Sequence, residues 1–371
     1  MLCVEALLDW YRRHRRDLPW RGQRDPYALL VSEVMLQQTR VETVIPYYLR
    51  FLERFPDWQA LAEASEHDLL AAWSGLGYYR RARNLQRTAR EVRARGGLPE
   101  EPEELVRLPG VGPYTAAALA SIAFGRPCLA LDGNALRVWQ RYLALDERPT
   151  AALRRRLESL LLPLLPPGRA GDFTQAVMEL GAQVCTPSSP ACPECPLAAG
   201  CQAFRQGRPQ DYPPPRPRRT PVQLVRAAAL VRREGRVLLQ QNPRPDLLGG
   251  LWDCPWVELA PGQDAAGELA RLLEPLGEPA LQGYLGEVRH AITYRRIRCQ
   301  VYAYALRPRG VAEGLEGWRW VAWSELPGWP LPGPTRRILA LAGEAAPHER
   351  GHRGPPEALR TGHLRAGRAR P

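Results

Sequence analysis

The sequence predicts a two-domain protein, an all-α half containing a helix-hairpin-helix motif followed by a smaller α+β half. Three observations predict it. Up to residue 204 apolar residues recur with helical spacing, residues 205–221 (RQGRPQDYPPPRPRRTP) are dense in proline and arginine, and beyond them strand-like runs alternate with tight turns. A chain of 371 residues is too long for one typical core. The proline-rich segment cannot continue a helix, and Pro213–Pro215 favours an extended polyproline run. The expected domains are therefore 1–204 and 222–342, joined by a linker over 205–221 and followed by a disordered basic tail over 343–371.

In the first half, Asp25-Pro26 is a cap and first-turn pair for a helix ending near Thr39. The segments Val41–Phe55, Glu66–Ala72, Arg80–Arg95 and Phe173–Gly181 carry helical spacing too. In Leu108–Ala120 (LPGVGPYTAAALA), Gly-Val-Gly separates two helical runs. Gly110 and Gly112 allow a tight turn and let backbone amides approach a phosphate oxygen. Thr115 can support the start of the second helix, although the segment alone also reads as an ordinary αα-hairpin turn. Asp132 follows eighteen residues after Tyr114, in LDGN, just ahead of another helix.

Cys185, Cys192, Cys195 and Cys201 are separated by six, two and five residues. Four thiolates so close in sequence can surround zinc or an iron–sulfur cluster; the gaps do not choose between these, and unrelated free thiols are the plainer alternative. A disulfide framework is disfavoured because Cys3, Cys128, Cys254 and Cys299 are scattered and no signal peptide opens the chain. The net charge of +12 suits a polyanionic partner, as it would a membrane surface. Arginine dominates the positive side, which favours bidentate phosphate contacts. No apolar run has the length of a membrane span, since Pro163 interrupts Leu160–Leu165. A soluble protein of a reducing compartment is expected.

With LPGVG, LDGN and the cysteine spacing in this order, the chain resembles the helix-hairpin-helix DNA glycosylases of the MutY family. The resemblance runs from about Leu7 to Cys201 and continues more weakly into the second half. It implies a monofunctional adenine DNA glycosylase of base excision repair that hydrolyses the N-glycosidic bond of adenine mispaired with 8-oxoguanine or guanine. It further implies one [4Fe-4S] cluster on Cys185, Cys192, Cys195 and Cys201, presenting its loop to DNA, and a Nudix-like domain that recognises the lesion. The expected partner is duplex DNA carrying the mispair, with no membrane; the expected form is a monomer in the bacterial cytoplasm, at the nucleoid.

Breaking a glycosidic bond calls for two carboxyls with different duties. Glu33 lies in an apolar helix, where burial would raise its pKa and suit it to donate a proton; by spacing alone it could equally be a solvated helix-face residue. The SEVMLQQT motif implies that it protonates adenine N7 and handles the attacking water. Asp132, otherwise a helix cap, is implied to stabilise positive charge at C1′, with Asn134 holding its carboxylate and a phosphate. The two pKa values are expected to be driven apart. Related bifunctional enzymes carry a lysine where this chain has Tyr114, and a phenol cannot form an imine. Gln37, Gln38 and Tyr78 are implied as the DNA-side set, with Gln38 near the vacated stack and Tyr78 intercalating beside 8-oxoguanine, though Tyr78-Tyr79 also reads as a packed aromatic pair. Arg80, Arg81 and Arg83 could contact phosphates. Arg21 is implied to line the adenine pocket, with Trp20 in the core.

In the second half, Glu268 and Glu274 stand without the dense glutamate pattern of a metal-binding Nudix helix, so binding rather than pyrophosphohydrolysis is expected. Where many relatives have Phe-Ser-His, this chain has Ile292, Thr293 and Tyr294, implied to contact the oxidised guanine; an ordinary hairpin is the alternative. Competing functions are a related glycosylase acting on thymine or uracil opposite guanine, a non-catalytic DNA-binding protein and a Nudix-type hydrolase.

Overall fold

The computed structural model describes residues 3–215, 220–242, 248–307 and 315–344. The chain divides into two compact units, Met1–Arg218 and Arg219–Pro371. Residues 216–219 of the expected linker, and residues 345–371 of the expected tail, lie outside the described residues. Among the described residues no helix is long and apolar enough to cross a membrane.

The first unit is helical. Its central helix, Pro26–Leu36, opens on Asp25, whose carboxylate accepts from the Tyr27 and Ala28 amides at 3.0 and 3.4 Å. Nine of its residues, Tyr27 through Met35, are buried, so it is enclosed by other helices, and Ser32 and Glu33 are the polar side chains inside that shell. It ends before Thr39, because Gln38 adopts a left-handed φ of 57°. Val41–Arg54, Glu66–Trp73 and Arg80–Arg95 follow, the last stopped by Gly96 at φ 77°. Val4–His14, not expected from the sequence, buries Leu7, Leu8, Trp10 and Tyr11 in a core with Trp139 and Phe173, whose rings stack at 6.0 Å.

The hairpin joins Pro102–Leu105 to Pro113–Ile122. Gly110 has φ 75°, and a Cβ there would come within 2.7 Å of the Asn84 side chain, so glycine is required on two counts. Thr88 Oγ1 donates to Pro109 O at 2.9 Å and fixes the turn from outside. Thr115 does not cap the second helix: the Gly112 N-cap has no side-chain bond and Thr115 is buried inside the unit. Gly133–Tyr142 and Ala170–Gln183 complete the site's framework.

The expected [4Fe-4S] cluster, and with it the cluster loop of the expected fold class, is corrected here. Among the described residues no group of three or more His, Cys, Asp or Glu side chains is placed to hold a metal ion. Cys185, Cys192, Cys195 and Cys201 do line one cavity of about 30 Å³, together with apolar residues such as Val138 and Leu197. Three of them sit where burial favours the thiol over the thiolate. Burial raises the pKa of Cys192 and Cys201 and pushes Cys195 up to about 12, and Cys201 Sγ donates to Arg141 O at 3.4 Å. The loop is held by protein contacts instead. Arg141 Nη1 donates to Thr186 O at 2.7 Å and its Nη2 to Pro187 O at 2.8 Å.

The second unit is built on a mixed sheet of seven strands: β1 (Val222–Arg233), β2 (Arg236–Gln241), β3 (Trp252–Asp253), β4 (Trp256–Leu259), β5 (Glu278–Ile292), β6 (Arg295–Arg307) and β7 (Trp318–Ala322). The main path runs β3-β2-β1-β6-β5, with β4 on β1 and β7 on β2. Strand β1 runs parallel to β6, and the other pairings are antiparallel. The run AAALV in β1 is buried on both faces. Ala227, Ala229 and Val231 meet Leu269 and Leu273 of the Ala265–Leu273 helix, while Ala228 and Leu230 join the core containing Ile338 and Leu339 of the Gly333–Glu344 helix.

Candidate active site

Glu33 is 7% exposed, and its Oε2 accepts from the Tyr114 hydroxyl at 2.7 Å. Burial raises its pKa, opposed by the Tyr114 hydrogen bond and the Arg21 charge and reinforced by Asp132. Tyr114, at the second turn-side position of the hairpin's second helix, is also raised, first by burial and then by the neighbouring carboxylates. Its hydroxyl therefore donates and stays protonated.

Asp132 caps the Gly133–Tyr142 helix: Oδ1 accepts from the Ala135 amide at 2.6 Å and Oδ2 from Asn134 Nδ2 at 3.1 Å. Asn134 is held in turn by Arg137, whose Nη2 donates to Asn134 Oδ1 and to Gly181 O, both at 2.8 Å. Burial raises the Asp132 pKa as well, against these hydrogen bonds and the Arg137 charge. The two carboxyls are thus not driven in opposite directions. They differ in what opposes burial: Asp132 has the helix amides, Asn134 and Arg137, whereas Glu33 has one phenol and the Arg21 charge.

The helices cross closely here. A Cβ at Gly181 would lie 2.6 Å from Asn134 Cβ and 3.0 Å from Asn134 O. Gly181→Ala is expected to push Asn134 and the Asp132 cap away, costing about 1–3 kcal/mol of stability and about 10- to 100-fold in excision rate. Thermal melts with single-turnover excision check it; an unchanged rate in the folded variant contradicts it.

Arg21, Gln37 and Gln38 line the same cleft as Glu33, Tyr114, Asp132 and Asn134, a space of about 750 Å³. Arg21 is aimed by Gln175 Oε1 at 2.8 Å and Glu179 Oε2 at 2.7 Å. Trp20 is buried edge-on to Tyr48, with ring centroids 5.3 Å apart. Tyr78 is 44% exposed at φ 49° and does not line the cleft. Gly110 is also outside it, against Asn84. Among the three arginines after Tyr79, Arg80 is exposed, Arg83 Nε is bonded to Glu66 at 2.6 Å, and Arg81 is buried, so Arg81 is no phosphate contact.

In the second unit, Thr293 and Tyr294 form the two-residue turn between β5 and β6, both exposed, with Thr293 at φ 56° and its Oγ1 donating to Ile292 O at 2.6 Å. Glu268 accepts from Arg271 at 2.9 Å. Sequence reasoning missed Glu179, fully buried and also bonded by Arg16 Nε at 2.6 Å. Burial pushes its pKa up, but the Arg16 bonds and the Arg21 charge outweigh this and hold it low. The available signal was a glutamate between Met178 and Leu180 in an otherwise apolar run.

This fold and cleft define a class. Residues 31–163 match the family of HhH-GPD superfamily base excision DNA repair proteins, and residues 226–341 match the NUDIX domain. The chain is 39% identical to the adenine DNA glycosylase of Mus musculus, the match taking in 86% of this chain and 73% of that one. It is 37% identical to the Homo sapiens adenine DNA glycosylase over 86% of this chain and 70% of that one. A solved structure of a thermostable thymine-DNA glycosylase matches 55% of the chain and 95% of its own, with 30% identity and a TM-score of 0.51. The chain belongs to the adenine DNA glycosylase family.

Proposed function

We propose that this adenine DNA glycosylase excises adenine mispaired with 8-oxoguanine or guanine in duplex DNA, by hydrolysis and without cutting the strand. The observation that carries the reading is the buried Glu33–Tyr114 pair at 2.7 Å in a cleft that also holds Asp132. The target nucleotide must leave the stack to reach such a cleft, and the net charge of +12 favours the phosphate backbone.

Glu33, whose proton burial favours, donates to N7 of the adenine. The C1′–N9 bond breaks with its electron pair going to the base, and Asp132 as carboxylate stabilises the oxocarbenium-like sugar. Water then adds at C1′, and Glu33, now ionised, takes its proton. Asn134 and Arg137 are positioning residues for Asp132. Tyr114 has no amine, so no imine with the sugar forms and the strand stays intact. The second unit, through Thr293 and Tyr294, reads the base opposite the adenine.

A single-turnover assay with A, G, T or U placed opposite guanine and 8-oxoguanine tests the reading: excision confined to adenine is expected, and excision of thymine or uracil overturns it. The double substitution Thr293→Ala with Tyr294→Phe removes the two hydroxyls. Losing one matched hydrogen bond costs about 1–3 kcal/mol, so the preference for 8-oxoguanine over guanine is expected to fall roughly tenfold. Measuring both rates checks it; an unchanged ratio assigns lesion reading to other residues of the second unit.

A further inference from the structure

We propose that Arg81 is a positioning residue that locks the Tyr78 loop to the end of the Glu33 helix, so that seating of Tyr78 in DNA and alignment of Glu33 are one event. The inference rests on the reading of Glu33 as the proton donor and on the reading of exposed Tyr78 as the residue that enters the DNA.

The helix Pro26–Leu36 has no basic residue in its last turn, and its terminal carbonyls need donors. Arg81, on the separate helix Arg80–Arg95, supplies both the charge and the donors. Its Nη1 donates to Val34 O and Met35 O, both at 2.9 Å, and to Gln37 O. Its Nη2 donates to Thr39 Oγ1 at 3.2 Å, and also to Leu76 O at 3.3 Å and Gly77 O at 3.2 Å. The guanidinium lies over the rings of Trp73 at 5.5 Å and Tyr78 at 5.4 Å. Burial lowers its pKa to about 10, so it remains charged at neutral pH.

The bonded groups bracket two unusual residues. Gln38 and Tyr78 are among the five non-glycine residues with positive φ in the described chain, at 57° and 49°. Such conformations persist where the surroundings over-determine them, and they cluster where a chain must grip a ligand. Gln37 and Thr39 flank the first, and Gly77 with the Tyr78 ring defines the second; one side chain holds all of them. Displacing the Tyr78 loop therefore pulls on the carbonyls one and two residues beyond Glu33.

The test uses the full-length protein with Arg81→Met, Arg81→Lys and Tyr78→Ala, singly and as the double variants with Tyr78→Ala. Single-turnover excision is measured against pH, with duplex affinity measured alongside. Arg81→Met is expected to slow excision about 10- to 100-fold through misalignment, with affinity changed far less, and to move the pH midpoint of the rate. Tyr78→Ala is expected to add little on that background, the signature of coupled positions. Lysine keeps the charge but not the fork, so Arg81→Lys recovers melting temperature more than rate. If Arg81→Met does not fold, Arg81→Lys decides by the same midpoint and double-mutant comparison. An unmoved midpoint with effects that simply multiply overturns the inference. Glu33→Gln run in parallel separates the two readings: retained excision there sinks the assignment of Glu33, whereas its loss beside uncoupled Arg81 and Tyr78 sinks only the role of Arg81.

Discussion

Glu33→Gln is expected to slow adenine excision by about 10²- to 10⁴-fold, the span of a positioned general acid, while duplex affinity stays close to that of the parent. Glutamine keeps the size and can still accept the Tyr114 hydroxyl, so the loss falls on the chemical step alone. The pH dependence follows from burial, which raises the pKa of Glu33 in the folded state. Its neutral form contributes stability that is fully present below the ordinary glutamate range and is lost as pH rises through the raised folded value. The parent's excision rate should fall over that same rise. The stability of Glu33→Gln relative to the parent should increase with pH, because an amide never has to carry a buried charge. Melting temperatures of both proteins across pH, with excision rates, check it; a difference that does not change with pH contradicts a buried, titrating Glu33.

Asp132→Asn is the second large effect, an expected loss of roughly 10²- to 10³-fold, comparable to removing one preorganised electrostatic partner of a transition state. Asparagine caps a helix as well as aspartate does, so the Ala135 amide keeps its acceptor and stability should change little. This separates two roles that a cap residue conflates. An Asp132 that only started its helix would lose almost no activity on this substitution. The rate and the thermal melt, measured on the same preparation, decide between them.

Much of the cleft's geometry was legible because it is local. SEVMLQQT places a carboxyl inside an apolar helix, LDGN places another at a helix start, and Gly110 marks a turn that only glycine fits. The burial of Arg81 was legible too, since positions 81, 82, 85, 88, 89 and 92 trace one helical face, yet its charge invited a phosphate reading. The cysteines misled for a related reason. Spacing reports which thiols are near in sequence, not whether they converge as metal ligands, and among the described residues no group of three or more is placed to hold a metal ion, while burial favours the thiol at Cys192, Cys195 and Cys201. Glu179 was out of reach because its arginine partners lie 163 and 158 residues away along the chain. The opposed pKa values expected of Glu33 and Asp132 failed because both side chains are withdrawn from water, and sequence does not measure depth.

The ion cluster at Glu179 has a consequence for how the protein comes into being. Arg16 and Arg21 leave the ribosome early, and their carboxylate emerges only with the Ala170–Gln183 helix. Synthesis runs at about 5–20 residues per second, so these two arginines wait on the order of ten seconds for their partner. Through that interval Arg21, which lines the cleft, lacks the carboxylate that aims it. A chain ending before residue 179 lacks the carboxylate that Arg16 and Arg21 share, so the contact that aims Arg21 into the cleft can form only once the Ala170–Gln183 helix has been made.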